Sequence, residues 1–156
     1  MWNNTDTPLA YFISFRSYST WLHGDKRGSI DRFHNRYGDP YLPQNEAWQR
    51  HNRKQVKTAP FILRARERGS VEKAIRETCS IRNWHLHAIN VRTNHVHTVV
   101  TANRKPELVL NAFKANATRE LREAQLWLHH FSPGQTKAAK LGCGMNEVWL
   151  MRSITY

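Results

Sequence analysis

Alternating hydrophobic and polar positions divide the chain into a short series of elements. Within "PLAYFISFRSYSTWL", the run Ala10 to Phe15 combines aromatic and β-branched residues and predicts a strand. The following text, "HGDKRGSIDRFHNRYGDPYLPQ", is rich in Gly, Pro, Asp and Asn and predicts a long loop. Loops of that length in compact domains are usually functional or mobile. Glu46 to Arg68 is polar and basic, interrupted by Pro60, with a short extended segment expected inside "APFILRARERG" before a turn at Gly69. A helix is expected next. Ser70 can cap it, and Val71, Ala74, Ile75, Thr78 and Cys79 fall on one face at helical spacing.

"NWHLHAINVRTNHVHTVVTA" predicts two strands, Trp84 to Val91 and His95 to Thr101, joined by the tight connection Arg92-Thr93-Asn94. After Pro106 a second helix is expected from Glu107 to Gln125, with Leu110, Phe113, Ala117, Leu121 and Ala124 as its buried stripe. Lys114, Thr118 and Arg122 line another face of that helix, with Arg119 beside them, and suit phosphate contact. The order strand, loop, helix, hairpin, helix predicts an α+β sandwich, with helices packed on one face of an antiparallel sheet.

Charge narrows the partners. Against 12 acidic residues stand 24 Lys and Arg in 156 residues, a net charge of +12 and a pI near 10.3, which points to a polyanion such as nucleic acid. In the long loop, Lys26, Arg27, Arg32 and Arg36 alternate with Phe33, Tyr37 and Tyr41; this suits either a grip on a DNA backbone with stacked bases or an ordinary solvated loop. No apolar run approaches the ~20 residues needed to span a bilayer. "MWNNTDTPLA" carries no secretion signal, and Cys79 and Cys143 lack metal-type spacing, so a cytoplasmic protein is expected.

Two His-x-His pairs carry the candidate chemistry: His85 with His87, and His95 with His97. On a strand, residues two apart share a face, so either pair can offer two neutral imidazoles to one divalent ion. Zinc favours three or four N or S ligands, whereas Mg or Mn accepts two imidazoles completed by oxygen ligands, phosphate and water.

"RTNHVHTVV" resembles the His-hydrophobe-His strand of single-tyrosine HUH transposases, the insertion-sequence type and their REP-associated relatives. "FRSYSTWLHGDKRGSIDR", "IRNWHLHAINVRTNHVH" and "PELVLNAFKANATRELRE" resemble further blocks of that family in the same order, so the likeness spans Pro8 to Ser132. It implies a ferredoxin-like or RRM-like core, with His95 and His97 as ligands of a divalent metal (Mg or Mn) and His85 and His87 as structural residues. It also implies single-stranded or hairpin DNA as substrate, cleaved by a tyrosine that leaves a 5′-phosphotyrosine link. A polar residue one turn after that tyrosine completes the family's metal site. Self-association as a homodimer is compatible with the same reading.

The likeness stops near Pro133, dividing the chain into a transposase-like domain, residues 1–133, and an aberrant tail, residues 134–156. "GQTKAAKLGCGMNEVWLMRSITY" shows no amphipathic helix, whereas a shifted frame of its back-translation can spell "RLWNERSVANAIDYV", which resembles the family's last strand and tyrosine helix. A one-base deletion is therefore expected, with the final strand and helix of the fold absent or poorly formed. Tyr156 is then the one tail tyrosine able to substitute as nucleophile, and it sits in a tail with no evident anchor. Two readings follow: a transposase, or a non-catalytic remnant that still binds hairpin DNA. An RRM-like RNA-binding module ranks below both, because its sheet should display stacking aromatics where this one has histidines.

Overall fold

The computed structural model describes residues 9–20, 22–29, 40–56, 59–128 and 147–151, the last as backbone only. Four strands, β1 (Ala10–Arg16), β2 (His85–Val91), β3 (His95–Thr101) and β4 (Glu147–Met151), form one antiparallel sheet in the order β2-β3-β1-β4. Three helices accompany it: α1 (Glu46–Gln55), α2 (Ala65–Ile81) and α3 (Pro106–Glu123). Without α1 the path is βαββαβ with the central strands β3 and β1, which is the ferredoxin-like arrangement expected from the sequence.

Strand alternation decides which face is which. Tyr11, Ile13 and Phe15 of β1 lie opposite Val100, Thr98 and Val96 of β3, and all six are buried. They meet Val71, Ala74, Ile75 and Cys79 of α2, and Val109, Leu110, Phe113, Ala117 and Leu121 of α3, in one core. Of the anticipated stripes only Ala124 fails to bury, because α3 ends before it and Ala124 serves as its C-cap. Phe12, Ser14 and Arg16 of β1, opposite Val99, His97 and His95, therefore face away from the helices. That second face, open among the described residues, carries the histidines.

Three expectations need correction. The spacing predicts a helix capped by Ser70, but α2 begins at Ala65, with Arg64 at the N-cap making no side-chain capping bond. Ala65, Arg66, Glu67 and Arg68 are strong helix formers, and their preference outweighs the cost of about 1 kcal/mol for one interior glycine. A Cβ at Gly69 would meet nothing within 4 Å, so no packing demands a turn there. The extended segment before it exists only as single anchors: Phe61 N–H donates to Tyr18 C=O (2.9 Å) and Leu63 N–H to Thr93 C=O (2.7 Å).

Helix α1 forms inside the polar stretch, where no helix is expected. Its signal is local: Asn45 accepts the Trp48 N–H at 2.9 Å as an N-cap, Glu46 occupies the first turn, and Arg53 and Lys54 the last. It docks on the preceding loop, where the Trp48 indole stacks on His23 at 4.9 Å and Asn45 N–H bonds Gly24 C=O. Gly24 has φ +85°, and a Cβ there would strike the Asn45 carbonyl, so this contact requires glycine.

The third correction concerns the end of the fold. Glu147–Met151 pairs with β1 from Ala10↔Met151 to Ser14↔Glu147, so a final strand forms where none was expected. Its text, "EVWLM", is rich enough in β-formers to satisfy the exposed backbone edge of β1. Tyr156 and residues 129–146, with most of the tail, lie outside the described residues.

Candidate functional site

The hairpin that carries the site is closed by Arg92 N–H donating to His95 C=O at 2.8 Å. Its turn is tied to the end of β1: the Asn94 carbonyl accepts from Ser17 N–H (3.0 Å), Ser17 Oγ (3.2 Å) and Thr20 Oγ1 (3.4 Å). The first residues of β3 are thereby held at a fixed height above β1.

His95 and His97 both project from the open face, half-buried, with ring centroids 4.6 Å apart and planes at 63°. Two imidazoles bound to one ion at about 2.1 Å place their centroids roughly 4.5–5.2 Å apart for angles between about 90° and 109° at the metal. The observed spacing fits that requirement. His97 also stacks on Phe12, 5.4 Å between centroids and 23° between planes, which fixes its ring from the β1 side.

The state of His95 is set by its surroundings. Its Nδ1 lies 2.6 Å from Asn94 Oδ1. An amide oxygen only accepts, so Nδ1 carries the proton and donates, leaving Nε2 with its lone pair for a ligand. Burial lowers the His95 pKa to about 4, assisted by the positive potential of His97, Arg16 and Arg92. The ring is therefore neutral at physiological pH, the form a metal requires.

Arg16 and Arg92 are the cations of this site, and sequence reasoning did not select them. Arg16 lies directly opposite His95 in the β1–β3 register, and Arg92 begins the turn. Period-two alternation along "AYFISFR" would have put Arg16 on the histidine face. Finding the pair required knowing that β1 and β3 are neighbours, which the sequence order does not state.

The cations expected at DNA are dispersed. Lys114 is only 4% exposed and Thr118 is buried with it, so neither offers a solvent-facing phosphate contact. Their spacing along α3 places them beside the core stripe, toward Phe15, Leu63 and Val96. Arg119 and Arg122 are exposed on α3, on the helix layer, and Arg119 lies 3.9 Å from Glu123. Lys26 sits by α1, in a polar cleft with Asp25, Gln49 and Arg50. Arg27 is bound to Asp25 at 2.8 Å through both Nε and an Nη, and this pairing holds the Asp25 pKa down at about 2. Arg32 and Arg36 lie outside the described residues. None of the described members of this group converges on His95 and His97.

Three tyrosines are described. Tyr11 and Tyr18 are buried on the helix side, Tyr18 tilted against Trp127 at 6.4 Å, and Tyr41 packs beside Gly28. Among the described residues no cluster of three or more His, Cys, Asp or Glu stands ready for a metal, so the site offers an ion two imidazoles.

Residues 47–136, more than half of the chain, match the profile of the family described as "Transposase IS200 like". The chain belongs to the IS200-like transposase family. This transposase is similar in fold to a candidate transposase from Deinococcus radiodurans R1 seen in a 1.90 Å crystal structure. The TM-score is 0.51 at 12% identity, covering 99% of this chain and 85% of the other, so that likeness is one of fold. No curated protein matches the transposase. None of its described helices is long and apolar enough to cross a membrane.

Proposed function

We propose that the transposase binds single-stranded or hairpin DNA across the open face of its sheet, with His95 and His97 holding a divalent ion, Mg or Mn, against a phosphate. The observation that carries this reading is the convergence of two imidazoles, 4.6 Å apart, with the His95 ring neutral and its Nε2 left for a ligand, beside Arg16 and Arg92 on the sheet face that no described helix covers. Each residue has a task. Asn94 fixes the His95 tautomer and Phe12 fixes the His97 ring. Arg16 and Arg92 supply positive potential for the phosphate backbone, and the neutral His95 ring does not repel a dication. A bound divalent ion with open positions supplies Lewis-acid stabilisation of the charge that develops on a reacting phosphate.

In the strand-transfer reaction, a tyrosyl oxygen attacks phosphorus and the bond from phosphorus to the 3′-oxygen breaks. The 3′-oxygen leaves and takes up a proton to become a free 3′-OH, while the 5′-phosphate remains on tyrosine. Tyr156, the tail candidate, lies outside the described residues. A second reading, a DNA binder without the covalent step, is favoured by the positions of the three described tyrosines: Tyr11 and Tyr18 lie buried on the helix side and Tyr41 packs beside Gly28, while Tyr37 lies outside the described residues. It joins the proposal that the tail from Gly134 is a frameshift product, which the nucleotide sequence of the gene would decide.

One experiment separates the readings. The protein is incubated with a DNA hairpin bearing a single-stranded flank, with and without Mn²⁺. Binding is followed by fluorescence anisotropy and adduct formation by denaturing gel. Manganese-dependent binding that disappears in His95→Ala/His97→Ala supports the site. An adduct that vanishes on Tyr156→Phe selects the transferase, and binding without adduct selects the binder. Binding that is absent, or indifferent to both histidines, overturns the proposal.

A further inference from the structure

The open face carries a second histidine pair whose geometry repeats the first. His85 and His87 are both exposed on β2, with ring centroids 4.4 Å apart and planes at 70°, against 4.6 Å and 63° for His95 and His97. A β-bulge arranges them. The β2–β3 register runs Leu86↔Val100 and then Ala88↔Val99, so His87 is the extra residue and is swung to the same side as His85. His85 lies opposite Thr101, which by alternation along β3 shares a face with His95 and His97.

The tautomer of His87 is also determined. Its Nε2 lies 2.8 Å from Thr101 Oγ1, and that hydroxyl donates its one hydrogen to the Leu9 carbonyl at 2.6 Å. Thr101 can then only accept from His87, so Nε2 is the donor and Nδ1 keeps the lone pair. The arrangement is the same device as Asn94 on His95, with the opposite nitrogen left for a ligand. A side-chain oxygen that fixes one ring nitrogen of a histidine is the usual partner of a metal-ligating imidazole.

We propose that His85 and His87 form a second metal site, specific for borderline transition dications such as Zn²⁺, Ni²⁺ or Cu²⁺. Two centroids at 4.4 Å fall at the lower edge of the spacing for a shared ion, within a small side-chain adjustment of roughly 4.5 Å. Imidazole nitrogens bind Zn²⁺, Ni²⁺ and Cu²⁺ more strongly than Mg²⁺, and here, unlike at His95 and His97, no DNA phosphate is proposed to supply the oxygen ligands that Mg²⁺ needs; water completes the shell, with no third His, Cys, Asp or Glu among the described neighbours. The site is separate from the first. Thr101 and His97 are four residues apart on one strand, about 13 Å, far beyond the ~4 Å at which two ions share one phosphate. This inference stands on the pair's own geometry and does not require the proposed DNA chemistry.

The test is a titration of Zn²⁺ into metal-free His95→Ala/His97→Ala protein, followed by the side-chain resonances of the remaining histidines. The His85 and His87 rings should shift together and saturate with one ion. Adding His85→Ala, an exposed change that leaves the fold intact, should weaken that binding at least tenfold, because one imidazole remains. Mg²⁺ should leave both rings unmoved. If neither ring responds to Zn²⁺ at millimolar concentration, or if His85→Ala leaves the affinity within twofold, the site does not exist.

Discussion

Asn94 Oδ1 accepts a hydrogen bond from His95 Nδ1 at 2.6 Å, and through it the hairpin turn determines which nitrogen of the candidate ligand faces outward. Replacing Asn94 with Ala should free the imidazole to populate both tautomers. Losses of 10- to 100-fold in metal affinity are typical when such an outer partner is removed. Mn²⁺ affinity of Asn94→Ala should therefore fall about tenfold or more, while Asn94→Asp, which keeps the acceptor, should retain it. In metal-free protein, the ¹⁵N shifts of His95 should move from a pure Nδ1–H form toward a mixture in the alanine variant alone. Unchanged shifts would mean that Asn94 does not set the tautomer.

A second prediction separates the open face from the helix layer as the DNA surface. Removing a side chain that neutralises one phosphate lowers the salt slope of binding by about 0.7 for single-stranded DNA and 0.9 for duplex. Arg16→Ala and Arg92→Ala should each reduce the slope by about that amount. Arg119→Ala and Arg122→Ala, on the opposite side of the sheet, should leave affinity within about twofold, since removing a distant charge only weakens long-range attraction. The reverse outcome would return the phosphate contact to α3.

These two predictions depend on information of different kinds. The hairpin, the core stripes of α2 and α3 and the shared face of His95 and His97 were legible, because each follows from spacing within one element. Arg16 was not, because its proximity to His95 comes from the pairing of β1 with β3, strands separated by half of the chain. Lys114 misled for a related reason. A basic residue on an amphipathic helix normally lies outside, but here it borders the stripe closely enough to be buried, lining one cavity with Phe15, Leu63 and Val96. Helix α1 was legible in its Asn45 cap, but its polar composition hid it, since α1 covers a loop and not the sheet.

Burial of Lys114 has a thermodynamic consequence. Desolvation lowers its pKa from 10.5 to about 8, so the unfolded chain binds more protons than the folded one between those values. The sign follows from linkage: stability gained from this group rises as pH increases from about 8 to 10.5 and is flat below. Lys114→Met, which keeps the length and removes the charge, should stabilise the protein at pH 7 by roughly 1–3 kcal/mol. It should also abolish this part of the pH dependence. Chemical denaturation of both proteins at pH 7, 9 and 10.5 measures the difference, and parallel curves would refute the assignment.

The last prediction concerns β4. Glu147–Met151 pairs with one edge of β1, so it supplies backbone hydrogen bonds and shields "AYFISFR" from other chains. An uncovered strand of that composition is a template for intermolecular pairing. Val148→Pro and Trp149→Pro each fix φ and remove an N–H, and because ladder bonds alternate along an antiparallel pair, one of the two must break a bond to β1. A broken backbone bond costs about 1 kcal/mol, and in a chain of this size that lowers Tm by about 2–4 °C, with the proline constraint adding to it. The larger effect should be colloidal. With β1 uncovered, light scattering should reveal oligomers at concentrations where the parent chain does not associate. If both proline variants keep the parental Tm and mass, β4 does not protect β1, and the expectation of a fold without its final strand is restored.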